Sequence, residues 1–295
     1  MHIPDINLKI DLDKETEMFV KFLHHEKFTQ NRESILRYYA DLRTLLEADD
    51  TDEVKIIRSF LASKYSKHDT AIKLIVSDAE EKIEKHGKVI LEQLASLMDY
   101  TWSKGHSGYL VIPTILPFSP FDENILYFSM TRKLRGNNKK DDVNHEILPL
   151  FAHEISHLML RDVMVLNEQK EVFDAYGWTT KHFLQEILAP ILMNQESLKN
   201  VLGIQNYFGN PYLTHLNIEK NSALENIVLY FKNVYETMKY ADGRPFIEIV
   251  KTMADELDGA SAALDEKFKM WNMSGHEIFS NELLLRRYQS PIFIK

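Results

Sequence analysis

Residues 147–160 read ILPLFAHEISHLML, an apolar run with two histidines and a glutamate at its centre. A run this apolar belongs in a core, and its length favours a helix over a strand. Residues four apart share one face of a helix. His153 and His157 therefore project together, with Glu154 directly beside the first. The chain has to fold around a buried helix that carries a polar cluster.

The residue types at this spacing suit a metal. Imidazole nitrogens bind zinc, and a catalytic zinc keeps one position for water. In the known zinc peptidases, a glutamate offset by one residue from the first histidine, as Glu154 is, has its carboxylate near that water rather than on the ion. Bound zinc lowers the pKa of the water, Glu154 takes its proton as general base, and a polarised carbonyl is attacked. Pro149 lies near the helix start, where proline is tolerated, and no proline interrupts the motif. The chain has no cysteine. That excludes disulfides, a thiol nucleophile and thiolate ligands, so a metal must be held by His, Asp or Glu.

Around this helix the hydrophobic periodicity predicts an α+β protein that is predominantly helical. Residues 14–100 carry helical apolar stripes, with Met18, Phe19, Phe22 and Leu23 as the clearest. The last of these helices, 69–100, is long and amphipathic, packs on the domain rather than forming a coiled coil, and contains Gly87 as a weak point. GYLVIPTI (108–115) and NILYFSM (124–130) read as strands, separated by the turn-forming LPFSPFDE. The tail PIFIK offers one more short strand. Residues 131–145 read as an exposed loop. Helices are expected again at 147–165, 179–199, 221–240, 245–257 and 275–289, with breaks at Gly203, Gly209 and Pro211. The change of texture suggests a helical N-terminal region, 1–100, and a catalytic domain, 101–295, with one compact unit as the alternative.

FAHEISHLML at 151–160 resembles the active-site helix of the zincin metallopeptidases, over roughly residues 108–190. The resemblance implies a zincin-like domain with a small mixed sheet, whose edge strand precedes the helix and pairs with the substrate backbone. NILYFSM is in that place. The metzincin continuation would need glycine and histidine where Leu160 and Val163 stand, so the gluzincin pattern is the better match. It implies a glutamate ligand on a following helix. Glu168 and Glu171 lie in polar NEQKEVFD. Glu186, in WTTKHFLQEILAPILM beside Leu184, Ile187 and Leu188, is favoured as third ligand; Glu171, Asp174 and Glu196 stay open, Asp174 marking the aspartate-using branch. Several gluzincins carry an aspartate where Pro190 stands here, so support for the histidines must come from elsewhere, with Asp162 one candidate. The resemblance also implies an oxyanion donor in the later half, for which GNPYLTHLN offers Tyr212 and His215.

The expected function is zinc-dependent hydrolysis of peptide bonds in a peptide or protein substrate. The alternatives are a catalytically silent zincin-derived binding or regulatory protein, and a zinc hydrolase of a non-peptide amide. A formal net charge of −9 argues against a nucleic-acid partner. The N-terminus lacks a basic region followed by an apolar run, and no apolar run reaches membrane-spanning length. A cytoplasmic location is therefore expected, with export by a signal-independent route left open. Three features carry no site: the adjacent His24 and His25 point to different sides of a helix, Gly275–His276 reads as a helix start, and basic 132–140 reads as a solvated loop.

Overall fold

The computed structural model describes residues 2–25, 29–48, 52–136, 146–167, 169–274 and 277–294. The chain forms two compact units, one of Ile3–Lys88 and Ser103–Phe151, the other of Met1–His2, Val89–Trp102 and Ala152–Lys295. The described residues are predominantly helical, with one small sheet in each unit.

The first unit opens with strand β1 (Ile6–Leu8) and continues through helices α1 (Leu12–His24), α2 (Thr29–Tyr38), α3 (Ala40–Ala48), α4 (Glu53–Lys67) and α5 (Asp69–Leu97), the last of which belongs to the second unit from Val89 onward. Asp11 and Asp52 start α1 and α4 by accepting from the amides of Lys14 and Lys55, both at 3.1 Å. The apolar face of α1, Met18, Phe19, Phe22 and Leu23, is buried as its spacing predicts. Then come β2 (Tyr109–Thr114), β3 (Phe121–Asp122), β4 (Ile125–Ser129) and the short helix α6 (Thr131–Leu134). The sheet order is β1-β2-β4-β3, parallel except for β3 against β4, with Ile6 opposite Tyr109 and Leu110 opposite Ile125.

Four details of this unit differ from expectation. The three residues of β1 are too short to show a period, yet they add a strand to the sheet. Residues 3–88 and β2–β4 thus share one unit. Strand β4 is interior rather than an edge, because LPFSPFDE folds back over its outer side. Tyr127 N donates to Pro120 O at 2.8 Å and Ser129 N to Ser119 Oγ at 3.0 Å. Helix α5 runs unbroken through Gly87, where an added Cβ would lie 2.6 Å from Ile6 Cδ1, so this glycine admits β1 rather than weakening the helix. The loop expected from 131 begins instead with α6, and residues 137–145 lie outside the described residues.

The second unit takes helix α7 (Ile147–Leu166) from Ala152 onward. It continues through α8 (Lys170–Ala175), α9 (Trp178–Met193), α10 (Glu196–Leu202) and a 3-10 turn at Pro211–His215. A hairpin of β5 (Asn217–Lys220) and β6 (Ala223–Asn226) leads to α11 (Ile227–Glu236) and a π-helical turn at Thr237–Ala241. Then follow α12 (Phe246–Gly259), α13 (Ser261–Ser274), α14 (Glu277–Ser280), α15 (Glu282–Gln289) and β7 (Ile292–Phe293). The tail strand β7 forms as expected and lies parallel to β5. The helix expected at 221–240 starts late, because Asn221 and Ser222 both take the left-handed conformation of a two-residue hairpin turn. Asn226 then caps α11 by accepting from Val228 N at 3.0 Å. The helix expected over 275–289 is divided at Asn281, which caps α15. The axis of the unit is α9, buried nearly all round and packed against α11, α12 and α13. Among the described residues no helix is long and apolar enough to cross a membrane.

Candidate metal centre

Helix α7 is encased by its own apolar residues: Phe151, Ala152, Ile155 and Met159 are wholly buried. His153 and His157 are therefore drawn into the interior, at 6% and 4% exposure. Helix α9 brings Glu186 to them, buried among Phe183, Leu184 and Ile187. One ligand atom from each of His153, His157 and Glu186 lies within 4.8 Å of the others, so the group could hold a metal ion. The imidazole centroids are 4.5 Å apart, and His153 Nε2 is 3.5 Å from Glu186 Oε2. Ligand atoms of a tetrahedral zinc stand about 3.4 Å apart, so the His153–Glu186 spacing already matches one shared ion.

Each of the three side chains has a further hydrogen-bond partner. The second nitrogen of His153, Nδ1, is 3.0 Å from the Tyr207 hydroxyl, which leaves Nε2 facing Glu186. Asn210 Nδ2 donates to Glu186 Oε2 at 3.0 Å. The Gln185 carbonyl accepts a hydrogen bond from the His157 ring. Tyr207 is itself clamped by Asn194, whose Oδ1 accepts from Tyr207 N at 2.9 Å and whose Nδ2 donates to Tyr207 O at 2.6 Å. Asp162 does not take this role: it accepts from the Tyr100 hydroxyl at 3.3 Å. Glu154 keeps a side chain 12% exposed, with Oε2 3.8 Å from His157 Nδ1.

The electrostatics follow from burial and mutual charge. Burial pushes the Glu186 carboxyl upward, but the His153 hydrogen bond and the charges of His153, His157 and His182 outweigh it, so it sits below the usual carboxylate range. Burial works to lower the His153 imidazole, and Glu186 raises it on balance. His157 is pushed down to about 3 by burial and by His153. Burial, reinforced by Glu186, lifts Glu154 to about 7. Glu186 thus favours its charged form and His157 its neutral form, and Glu154 holds a proton more readily than a surface acid.

The other acids weighed as third ligand are elsewhere. Glu171, Asp174 and Glu196 are exposed; Asp174 pairs with Lys170, and Glu196 accepts from Asn200. Glu168 lies outside the described residues, as does Gly275–His276. Tyr212 is buried, its hydroxyl 2.8 Å from His182 Nε2, and His182 stands one turn before Glu186 on α9. His215 packs against Phe279, with ring centroids 4.6 Å apart and tilted by 51°, and shares no hydrogen bond or ring contact with the three clustered residues among the described residues. His24 bonds Glu53 at 2.7 Å.

Sequence reasoning did not single out Tyr207, Asn194, Asn210 or His182. The four-residue step from His182 to Glu186 was available as a signal. Tyr207 and Asn210 had none, since they sit in an irregular segment with no period. Comparison with known protein families, curated proteins and solved structures gave no match.

Proposed function

We propose that the protein is a zinc-dependent peptidase of zincin-like, gluzincin type, with His153, His157 and Glu186 as ligands and Glu154 as general base. The observation that carries this reading is the convergence of three buried donor side chains from two helices, with an unligated glutamate next to the first histidine. When bound, zinc supplies Lewis acidity for a water and a substrate carbonyl. His153 and His157 present neutral nitrogens, and Glu186 supplies one negative charge. Tyr207, Asn210 and the Gln185 carbonyl hold those ligands in orientation. Glu154 takes the proton of the attacking water and passes it to the leaving amine. Tyr212, within electrostatic reach of Glu186, is the candidate oxyanion donor in preference to His215. Water is the nucleophile, so no covalent enzyme intermediate forms.

Metal analysis of the purified chain followed by peptide cleavage tests this. Glu154→Gln is expected to keep stoichiometric zinc while lowering kcat by roughly 10²- to 10⁴-fold. Zinc retained with undiminished cleavage would remove Glu154 from the chemistry. One observation favours the silent-scaffold reading: His153 Nε2 and Glu186 Oε2 stand within ion-pair distance of each other, at 3.5 Å. A chain that takes up no zinc at neutral pH would establish that reading in place of ours.

A further inference from the structure

A cavity of ≈ 430 Å³ opens in the second unit between the end of α9, α10 and the start of α11, in the volume range of ligand sites. Phe208 and Leu229 stand in its wall, 65% and 53% exposed, an apolar surface that nothing in the unit covers. Two cations, Lys199 and Lys232, join them, and no Asp or Glu is among the described lining residues. That is a local inversion in a chain of net charge −9. Lys199 has no ion pair among the described residues. Lys232 reaches Glu236 only at 3.7 Å and at the surface, where such a pair is worth little. The wall also holds the exposed side chains of Asn206 and Thr214.

We propose that this cavity binds an apolar peptide segment bearing a carboxylate. The lysines supply the charge complement and Phe208 with Leu229 the apolar seat. Asn206 favours a peptide over a fatty-acid tail, because a peptide backbone has donors and acceptors for its amide and methylenes have neither. Tyr207 belongs to the same wall, and its hydroxyl is the group held against His153 Nδ1. An occupant therefore packs beside the tyrosine whose hydroxyl meets His153, and its binding does not depend on the proposed function.

The test uses the full chain with chelator present, so that no cleavage occurs and failure of the zinc chemistry leaves the result untouched. Fluorescein-labelled hexapeptides that differ only in carrying Asp, Asn or Lys beside a Phe are titrated by anisotropy. The Asp peptide is expected to bind about tenfold or more tightly than the Asn peptide, with the advantage falling as salt rises. Lys199→Glu combined with Lys232→Glu is expected to reverse the order of the Asp and Lys peptides, with an unchanged Tm as the check on folding. Phe208→Ala is expected to weaken all three peptides. Equal binding of the three, or an Asp peptide bound equally by the charge-reversed variant, overturns the proposal. Saturable binding of decanoate without binding of the Asp peptide overturns the choice of a peptide as occupant.

Discussion

The Tyr207 hydroxyl is the only protein group that the described structure places on Nδ1 of His153. Tyr207→Phe removes one oxygen and keeps the buried ring. Zinc affinity is expected to fall about 10- to 100-fold, the usual cost of losing a hydrogen bond behind a ligating histidine. Competition against a chromophoric chelator measures it, and an unchanged affinity would show that His153 orients itself. A second residue tests the first unit. Glu15 is fully buried on α1; Oε1 accepts from Thr114 Oγ1 and Ile115 N, both at 2.7 Å, and Oε2 lies 2.6 Å from the Tyr65 hydroxyl. That hydroxyl is also 2.9 Å from Pro113 O. One phenol proton cannot serve two acceptors, but a protonated Glu15 donates to Tyr65 while Tyr65 donates to Pro113. Burial agrees: it lifts the carboxyl from 4.5 to about 7 against the opposing pull of Tyr65, Ile115 and Thr114. The folded state thus keeps a proton that the unfolded chain releases. The resulting stability is complete below the unfolded value of 4.5 and is lost as pH rises to about 7, about 3 kcal/mol in all. Glu15→Gln preserves every bond of the neutral acid. It is expected to match the parent near pH 4.5 and to exceed it by about 3 kcal/mol at pH 8. Denaturant titrations of both proteins at the two pH values decide this, and a variant weaker at pH 8 would mean that Glu15 is charged in the fold.

At the scale of elements, the end of α9 is where the site is built, through a contact that the sequence pattern hid. Pro190 lies inside α9 and has no N–H for the Glu186 carbonyl one turn earlier. Gly209, at φ +67°, packs on its ring: an added Cβ would stand 3.1 Å from Pro190 Cγ. Gly209 lies between Tyr207 and Asn210, so the turn that admits Pro190 also delivers the supports of His153 and Glu186. Gly209→Ala is expected to cost about 1–2 kcal/mol from its left-handed backbone, with additional loss from the contact and a drop in zinc affinity. Gly203→Ala is the matched control, since Gly203 has φ +66° and open space around it. It is expected to lower Tm while leaving zinc affinity intact. Equal effects of the two variants on both quantities would remove the Pro190 contact from the account. The same comparison shows why the clustered residues were legible and their hydrogen-bond partners were not. His153, Glu154 and His157 share one helix, and Glu186 is a lone acid in an apolar one; both facts are periodic. Tyr207, Asn194 and Asn210 meet the site through side-chain and loop geometry that no spacing encodes. Strand β1 escaped for the related reason that three residues carry no period, and its pairing with β2 joined segments that composition had set apart.

At the scale of the whole molecule, an ion at His153, His157 and Glu186 would bind the folded second unit and not the unfolded chain, so it would stabilise that unit by mass action. Free zinc at 100 times its dissociation constant contributes about 2.7 kcal/mol. If the two units melt in separate transitions, the one belonging to the second unit is expected to move. The pH dependence follows from the ligands. Burial lowers the His153 imidazole, but Glu186 raises it on balance, and metal binding must displace its proton. Affinity is therefore expected to fall about tenfold per pH unit once pH drops below the His153 value. Glu186 is ionised already, held below the carboxylate range, and His157 is neutral, so neither adds to the slope near neutrality. Thermal melts with zinc and with chelator at pH 7.5, 6.5 and 5.5 are expected to show a Tm difference that shrinks toward the acid end. Glu186→Gln keeps the shape of the site and removes its negative charge, and its zinc-dependent shift is expected to be small at every pH. A full shift in that variant would place the zinc at another site, and a shift that grows as pH falls would contradict histidine ligation altogether.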